Sequence, residues 1–252
     1  MNNMLRSIVF ISLIMGLTSC MTGGKRGVNQ ADSEKARAAV TLRVASYNVE
    51  FGKRGTPEQI GAMFKPYQLD VVGFCEVPEG DWTARVGKVL GMPYAYVGAI
   101  SSAGHKDKYK SILSRYPLSG MQEYPVSGTG WKSSAVKADI EVKGMRIALI
   151  SLHLCSCRQK QDSQIYYLAR EIIPALTTDR LIVMGDFNQT MKETAFRTID
   201  IADLTPIWPD LNMDVTRYRT CPSFWESAWG KDPGDGVIDH ILYNRYSNAR
   251  AV

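Results

Sequence analysis

The sequence lacks three things: a clustered set of metal-binding cysteines, a strong excess of charge, and an apolar run long enough to cross a bilayer. Cys155-Ser156-Cys157 is not Cys-x-x-Cys, and no second cysteine pair complements it, which argues against a zinc or dithiol redox centre. The formal charge is only +5 over 252 residues, which is compatible with a polyanionic partner but is no basic arm. The apolar stretch from Ile8 to Leu17 is too short to span. No internal repeat is visible. What remains is 45% hydrophobic and 22% charged, ordinary globular material with enough apolar side chains for a sizeable core.

The amino terminus has a different character. Arg6, the apolar run that follows and Leu17-Thr18-Ser19-Cys20 resemble a bacterial lipoprotein leader, predicting a signal peptide over 1–19 and acylation of Cys20. A plain secretory signal and a buried apolar helix are the alternatives. Residues 20–40, with Gly23, Gly24 and Gly27 and no apolar period, read as a flexible tether. The expected location is the bacterial cell envelope, exported and held to a membrane by lipid. Cys75, Cys155, Cys157 and Cys221 would then meet an environment that permits disulfides, and four cysteines allow three pairings; structural or free thiols are expected rather than metal ligands.

From residue 41 onward, strands and helices alternate, with one hairpin, as in mixed α/β layers. Alternation predicts strands at Leu42–Val49, Leu69–Val77, Tyr94–Ile100 and Lys110–Ser114. A hairpin of Ser133–Val142 and Met145–Leu154 turns at Lys143-Gly144, and a last strand runs from Val237 to Tyr243. Helices are predicted from Thr56-Pro57-Glu58 to Lys65, from Asp81 to Leu90, from Arg158 to Leu176 and from Lys192 to Ile199. Asp203–Ala228 reads as an irregular loop, whose Trp208, Trp225 and Trp229 would either pack or stack on a base or sugar.

Leu181-Ile-Val-Met-Gly-Asp-Phe-Asn-Gln-Thr190 is the centre of this pattern. It reads as a buried strand that stops at Gly185 and then offers Asp186 and Asn188 on one face. Alone it is equally well an ordinary Asp/Asn turn. Yet Asn48, Glu76, His153 and Asp239 also close apolar strands, and carboxylates gathered at strand mouths suit Mg²⁺ held together with substrate phosphate.

Six segments in order, Ser46-Tyr47-Asn48-Val49, Phe74-Cys75-Glu76-Val77, Ile112-Leu113-Ser114-Arg115-Tyr116-Pro117-Leu118, Ser151-Leu152-His153-Leu154, Gly185-Asp186-Phe187-Asn188 and Val237-Ile238-Asp239-His240-Ile241-Leu242, resemble the endonuclease/exonuclease/phosphatase family across residues 41–246. The resemblance implies a four-layer α-β-β-α sandwich of two mixed sheets. It implies a phosphoesterase using Mg²⁺, with Mn²⁺ or Ca²⁺ as alternatives, on nucleic acid, nucleotide, phospholipid or sugar phosphate. Phosphodiester hydrolysis ranks first, and phosphomonoester or sphingomyelinase-like hydrolysis second. Carried over by position, Asn48 and Glu76 hold the metal, and His153 contacts the scissile phosphate. Asp186 and Asn188 position the attacking water, and Asp239 orients a catalytic histidine.

Three departures accompany the resemblance. Cys75 stands where glutamine is common. Lys110 stands where asparagine is common, either binding phosphate or solvated. The Ser-Asp-His segment expected after Asp239 does not occur before Val252, so the domain over 41–252 is expected to lack its last strand and leave an unpaired sheet edge. His240 should face away from the site, and His105 lies in a polar loop. A fragment of an active enzyme accounts for this more simply than a pseudoenzyme. A non-catalytic phosphate-binding lipoprotein is the alternative of another class.

Overall fold

The computed structural model describes residues 8–15, 40–126, 132–155, 164–178, 180–193, 196–210, 220, 236–244 and 249–251. Cys20, Cys157, Cys221, Trp225 and Trp229 lie outside them. The first sheet has the order β12-β1-β2-β3-β5-β4, with β1 at Ile8–Met15, β2 at Val40–Asn48, β3 at Val71–Val77, β4 at Tyr94–Val97, β5 at Tyr109–Ser114 and β12 at Ala249–Ala251. The second has the order β10-β11-β9-β8-β7-β6, with β6 at Ser119–Pro125, β7 at Ser134–Val142, β8 at Met145–His153, β9 at Leu181–Asp186, β10 at Leu204–Pro206 and β11 at Asp239–Asn244. Each contains one parallel pair, β2 with β3 and β8 with β9, among antiparallel neighbours. Both sheets are therefore mixed.

Strand alternation divides the apolar residues into three layers of core. Val44, Val71 and Ile112 of the first sheet face Val136, Ile147, Ile182 and Met184 of the second. On the outer side of the first sheet, Tyr47, Val72 and Phe74 pack beneath Ile60 and Phe64 of α1 (Pro57–Phe64) and Val86 of α2 (Trp82–Leu90). On the outer side of the second, Ala148, Ile150 and Val183 pack beneath Ile165, Leu168 and Ile172. That last helical segment covers residues 164–172 and includes a π turn over Leu168–Ile172. The result is the α-β-β-α sandwich.

Local signals explain the helix ends. The Thr56 side chain accepts from Gln59 N, Gln59 returns the bond to Thr56 N, and Pro57 begins α1, a complete capping box. α2 stops where Gly91 turns left-handed. Among the described residues no helix is long and apolar enough to cross a membrane.

Two expectations are corrected here. β6 was not anticipated, because Ser119–Pro125 is an outer strand whose exposed side chains carry no apolar alternation. The edge of β2 is not bare: β1 runs antiparallel along it from Ile8↔Tyr47 to Met15↔Val40, and β12 pairs with the far side of β1. The apolar run read as a leader thus occupies a sheet position. Its length and β-branched content satisfy an open strand edge as well as they do a signal sequence.

Two glycines mark close approaches near the site. A Cβ on Gly73 would lie 2.5 Å from Met184 Cγ in the opposite sheet. Gly185, at φ +150°, faces the backbone of β8, and a Cβ there would lie 2.1 Å from the Leu152 carbonyl oxygen. Because backbone cannot move aside as a side-chain tip does, Gly185→Ala is expected to destabilise by about 3 kcal/mol. Gly80→Ala, with φ +87° but open space around it, should cost only about 1 kcal/mol. Urea unfolding of the two variants measures the difference.

Candidate active site

Strand register assembles the site. In the second sheet His153 is paired with Asp186, and Asp186 with Asp239, so three adjacent strands present their polar ends in one row. From the first sheet, β2 ends at Asn48, and β3 carries Glu76 at an irregularity between Phe74 and Val77. Glu76 has φ 54°, a left-handed conformation that a non-glycine residue adopts at a cost. Asn48 Nδ2 donates to Asp186 Oδ2 at 3.0 Å and joins the sheets, while its Oδ1 accepts from Glu50 N at 2.9 Å.

Asn188 arrives differently from expectation. The period of two ends with the strand at Asp186. Asn188 then has φ 51°, its N–H donates to Asp186 Oδ1 at 2.8 Å, and its Nδ2 donates to Leu154 O at 2.7 Å. The turn and the site are therefore the same object. Glu50, just beyond β2, turns left-handed and pairs with Arg54.

The electrostatics are those of crowded acids. Burial pushes Asp186 up to about 7, with bonds from Asn48 and Asn188 opposing and Glu76 adding to the rise. Burial pushes Asp239 well above the usual carboxylate range, and Asp186 adds to it. Glu76 is raised by burial, against the nearby Lys108. His153 Nε2 lies 3.5 Å from Glu76 Oε1 and 4.0 Å from Asp186 Oδ2. Burial, with Lys110 and Lys108 adding, holds His153 down to about 3, so it is neutral at physiological pH. Asp239 Oδ1 and His153 Nδ1 are buried without a hydrogen-bond partner.

Three acids with this little compensation fit a hard cation. Glu76 and Asp186 supply oxygen donors, and the Asn48 amide is fixed beside them. Among the described residues no group of three or more His, Cys, Asp or Glu forms a cage by itself. Mg²⁺ does not need one, since it keeps several waters and shares substrate oxygens.

Other candidates take other places. His240 is committed to the core: Nε2 donates to Gln189 O at 2.8 Å, Trp208 Nε1 donates to Nδ1 at 3.3 Å, and Phe196 lies at 4.4 Å. Trp208 is accordingly buried packing and no stacking platform. His105 is exposed, its ring 6.1 Å from that of Phe51. Cys75 is a buried free thiol that burial pushes up strongly. Lys110 is neither solvated nor open to phosphate: it is 0% exposed, with Nζ donating to Ile100 O at 2.7 Å and Ser102 Oγ at 3.3 Å. Burial brings it down to about 8. The lysine that faces the acids is Lys108, whose Nζ lies 3.9 Å from Glu76 Oε1. By sequence it falls in the same polar stretch as His105, just before β5. The strand signal begins after it, and nothing in its spacing distinguishes it from a solvated neighbour.

Asp186 has a folded pKa raised above the unfolded value of 3.8, so its contribution to stability is present at low pH and lost as pH rises through about 7. His240, lowered to about 4, acts the other way: its stabilising contribution is present above 6.5 and lost as pH falls toward 4. In EDTA at pH 8, Asp186→Asn is expected to raise Tm by about 3–6 °C, which is ~1.5 kcal/mol for a chain this long. The gain should vanish near pH 3, where Asp186 is largely protonated in both states. Mg²⁺ should raise the Tm of the wild type at pH 8 and that of the variant much less. Calorimetric scans at the two pH values, with and without Mg²⁺, provide the check.

The sequence profile of the Endonuclease/Exonuclease/phosphatase family matches residues 45–251. No curated protein sequence matches. Among solved structures, an endonuclease/exonuclease/phosphatase from Beutenbergia cavernae superposes with TM-score 0.61 at 17% identity, over 81% of this chain and 64% of that one. D. rerio TDP2 complexed with a single-strand DNA product gives 0.62 at 17% identity, over 81% and 83%. The mannosyl-6-phosphatase Bt3783 of Bacteroides thetaiotaomicron gives 0.60 at 15%, over 81% and 85%. These likenesses establish the shared fold, and with the profile match they lead to one conclusion: the chain belongs to the endonuclease/exonuclease/phosphatase family.

Proposed function

We propose that this chain hydrolyses phosphate esters with Mg²⁺, phosphodiesters foremost, by in-line attack of water on phosphorus. The observation that carries the proposal is the convergence of Asn48, Glu76, His153, Asp186 and Asp239 from the ends of two facing sheets into one buried corner.

Asn48 and Glu76 would hold the metal, which when bound would neutralise charge developing on the phosphate oxygens. Asp186, held by its hydrogen bonds with Asn48 and Asn188, would accept a proton from the attacking water. Asn188, fixed by its bonds to Asp186 and Leu154, orients that water. Neutral His153 donates a hydrogen bond toward a phosphate oxygen, and its backbone is tied down by Ser133 Oγ, which donates to its carbonyl. Asp239, with an unpartnered oxygen, is available to orient a donor group.

A second reading, a phosphate-binding protein without turnover, is favoured by one specific observation. Of the three histidines, His240 is spent on Gln189 and Trp208, His153 points toward Glu76, and His105 lies beside Phe51. None is bonded to Asp239 Oδ1. The proposal also includes export and lipid anchoring at Cys20, supported by Arg6 and the Leu17–Cys20 segment. Processing before Cys20 would remove β1 from beside β2, and the mass of the amino-terminal peptide extracted with detergent reports whether it happens.

Turnover decides between enzyme and binder. With Mg²⁺ the chain should hydrolyse at least one of an oligonucleotide, a nucleotide, sphingomyelin or an inositol phosphate. EDTA should abolish that turnover, and Glu76→Gln should lower it by about 100- to 1000-fold, the size expected when a group stabilising transition-state charge is lost. Absence of EDTA-sensitive hydrolysis on all four substrate classes would leave the binding protein.

A further inference from the structure

The loop that follows Asn48 is built at a conformational cost. Glu50, Phe51 and Gly52 have φ of 45°, 60° and 74°, three successive left-handed residues, two of them not glycine. The turn is held from every side: Glu50 N donates to Asn48 Oδ1, Gly52 N to Val49 O and Lys53 N to Glu50 O, and Arg54 pairs with Glu50. Its product is a half-buried Phe51 ring at the rim of the acidic corner.

Two ammonium groups use that ring. Lys108 Nζ lies 4.6 Å from the ring centroid and Lys53 Nζ 5.1 Å from it. Lys108 is the inner one, with a side chain only 13% exposed and its Nζ beside Glu76. Its backbone is pinned, since Lys108 N donates to Ser101 Oγ and Ser102 N donates to Lys108 O. Lys53 is the outer one, exposed to solvent. The two distances place the ammonium groups no more than about 10 Å apart.

Charge is concentrated in the same place. Residues 50–54 and 101–110 carry five lysines and arginines against two carboxylates, a large part of the chain's formal +5. Lys110 contributes by holding the second loop from beneath, through Ile100 O and Ser102 Oγ. An isolated phosphomonoester needs one cation at the reacting phosphorus. A second cation held at a set distance by an aromatic spacer has no use for such a substrate.

We propose that Lys108 and Lys53, spaced by Phe51, form a two-phosphate cleft. Lys108 takes the phosphate that reacts and Lys53 takes a neighbouring phosphate of the same molecule, so the preferred substrates carry two phosphates close together. The shared chemistry belongs to adjacent phosphates of a nucleic-acid strand and to a diphosphate linkage. The inference rests on the phosphoesterase reading for the role of Lys108 but concerns binding, which is measurable without turnover.

The test is calorimetric titration of the full chain in EDTA, where no turnover competes, using inorganic phosphate, methylenediphosphonate and the dinucleotide pdTpdT. The wild type should bind at least one of the two-phosphate ligands about tenfold or more tighter than phosphate. Lys53→Gln and Phe51→Leu should each bring that preference to within about threefold, whereas Lys108→Gln should weaken all ligands. Lys143→Gln, the same charge change on the exposed hairpin turn, serves as the control and should keep the preference. Lys53→Gln should also lower the slope of log affinity against log salt by about one for the two-phosphate ligand. Loss confined to pdTpdT points to a nucleic-acid strand, and loss confined to methylenediphosphonate to a diphosphate. No preference in the wild type, or a Lys53→Gln effect equal on phosphate and on two-phosphate ligands, overturns the cleft. Repeating the titrations with Glu76→Gln separates the two proposals, since the preference should survive there although hydrolysis does not.

Discussion

Three carboxylates share one buried corner, and the cation set against them is Lys108, whose field lowers both Glu76 and Asp186. Much of the structure around the site is understood through that imbalance. Carboxylates so placed repel one another and lose hydration, so the isolated fold would be more stable without them. The imbalance persists because the strands that end there are fixed by burial far from the corner. β9, for example, is buried along its whole length, with Val183 beneath Leu168 and Ile172 on one side and Met184 packed against Val44 and Val71 of the facing sheet on the other. Apolar packing holds the acids together, and a divalent cation or a phosphate bound with one relieves them.

The backbone shows the same economy. Glu76 sits at an irregularity of β3 in a left-handed conformation, and Asn188 turns left-handed immediately beyond β9. Gly73 and Gly185 lie where a Cβ would strike the opposite sheet or the neighbouring strand. Close approach and local strain are tolerated because the flanking residues are regular and well packed. The Asn48 side chain joins the sheets through Asp186.

How much of this could be read from sequence depended on the type of signal. Buried strands with alternating or continuous apolar residues were legible, and so were helices opened by Thr56-Pro57 or closed by Gly91, because these signals are local. The side-chain row formed by His153, Asp186 and Asp239 was legible as strand ends, although only pairing registers could show that they are neighbours. Asn188 was chosen on the wrong geometry, since a turn brings it to the site and alternation does not. β6 was missed because an exposed outer strand lacks apolar periodicity. Lys110 and Lys108 show the limit most clearly. They are two residues apart with the same charge, and tertiary packing alone buries one beneath the loop and turns the other toward Glu76.

That contrast bears on how recognition is coupled to chemistry in this fold. Asn48 bonds with one side-chain atom to Asp186 and with another to Glu50, so a single amide registers the rim turn against the reacting corner. A shift of the turn would move Phe51, and with it both lysines, relative to Glu76. The loop carrying Lys108 is tied in turn to the strand bearing His153, because Ser102 Oγ lies 3.3 Å from Ser133 Oγ and Ser133 donates to the His153 carbonyl. The cations that select a substrate and the groups that act on it are therefore positioned by one connected set of hydrogen bonds. A substrate that fits the rim poorly is then also held poorly for attack, and discrimination of that kind falls on turnover as well as on binding.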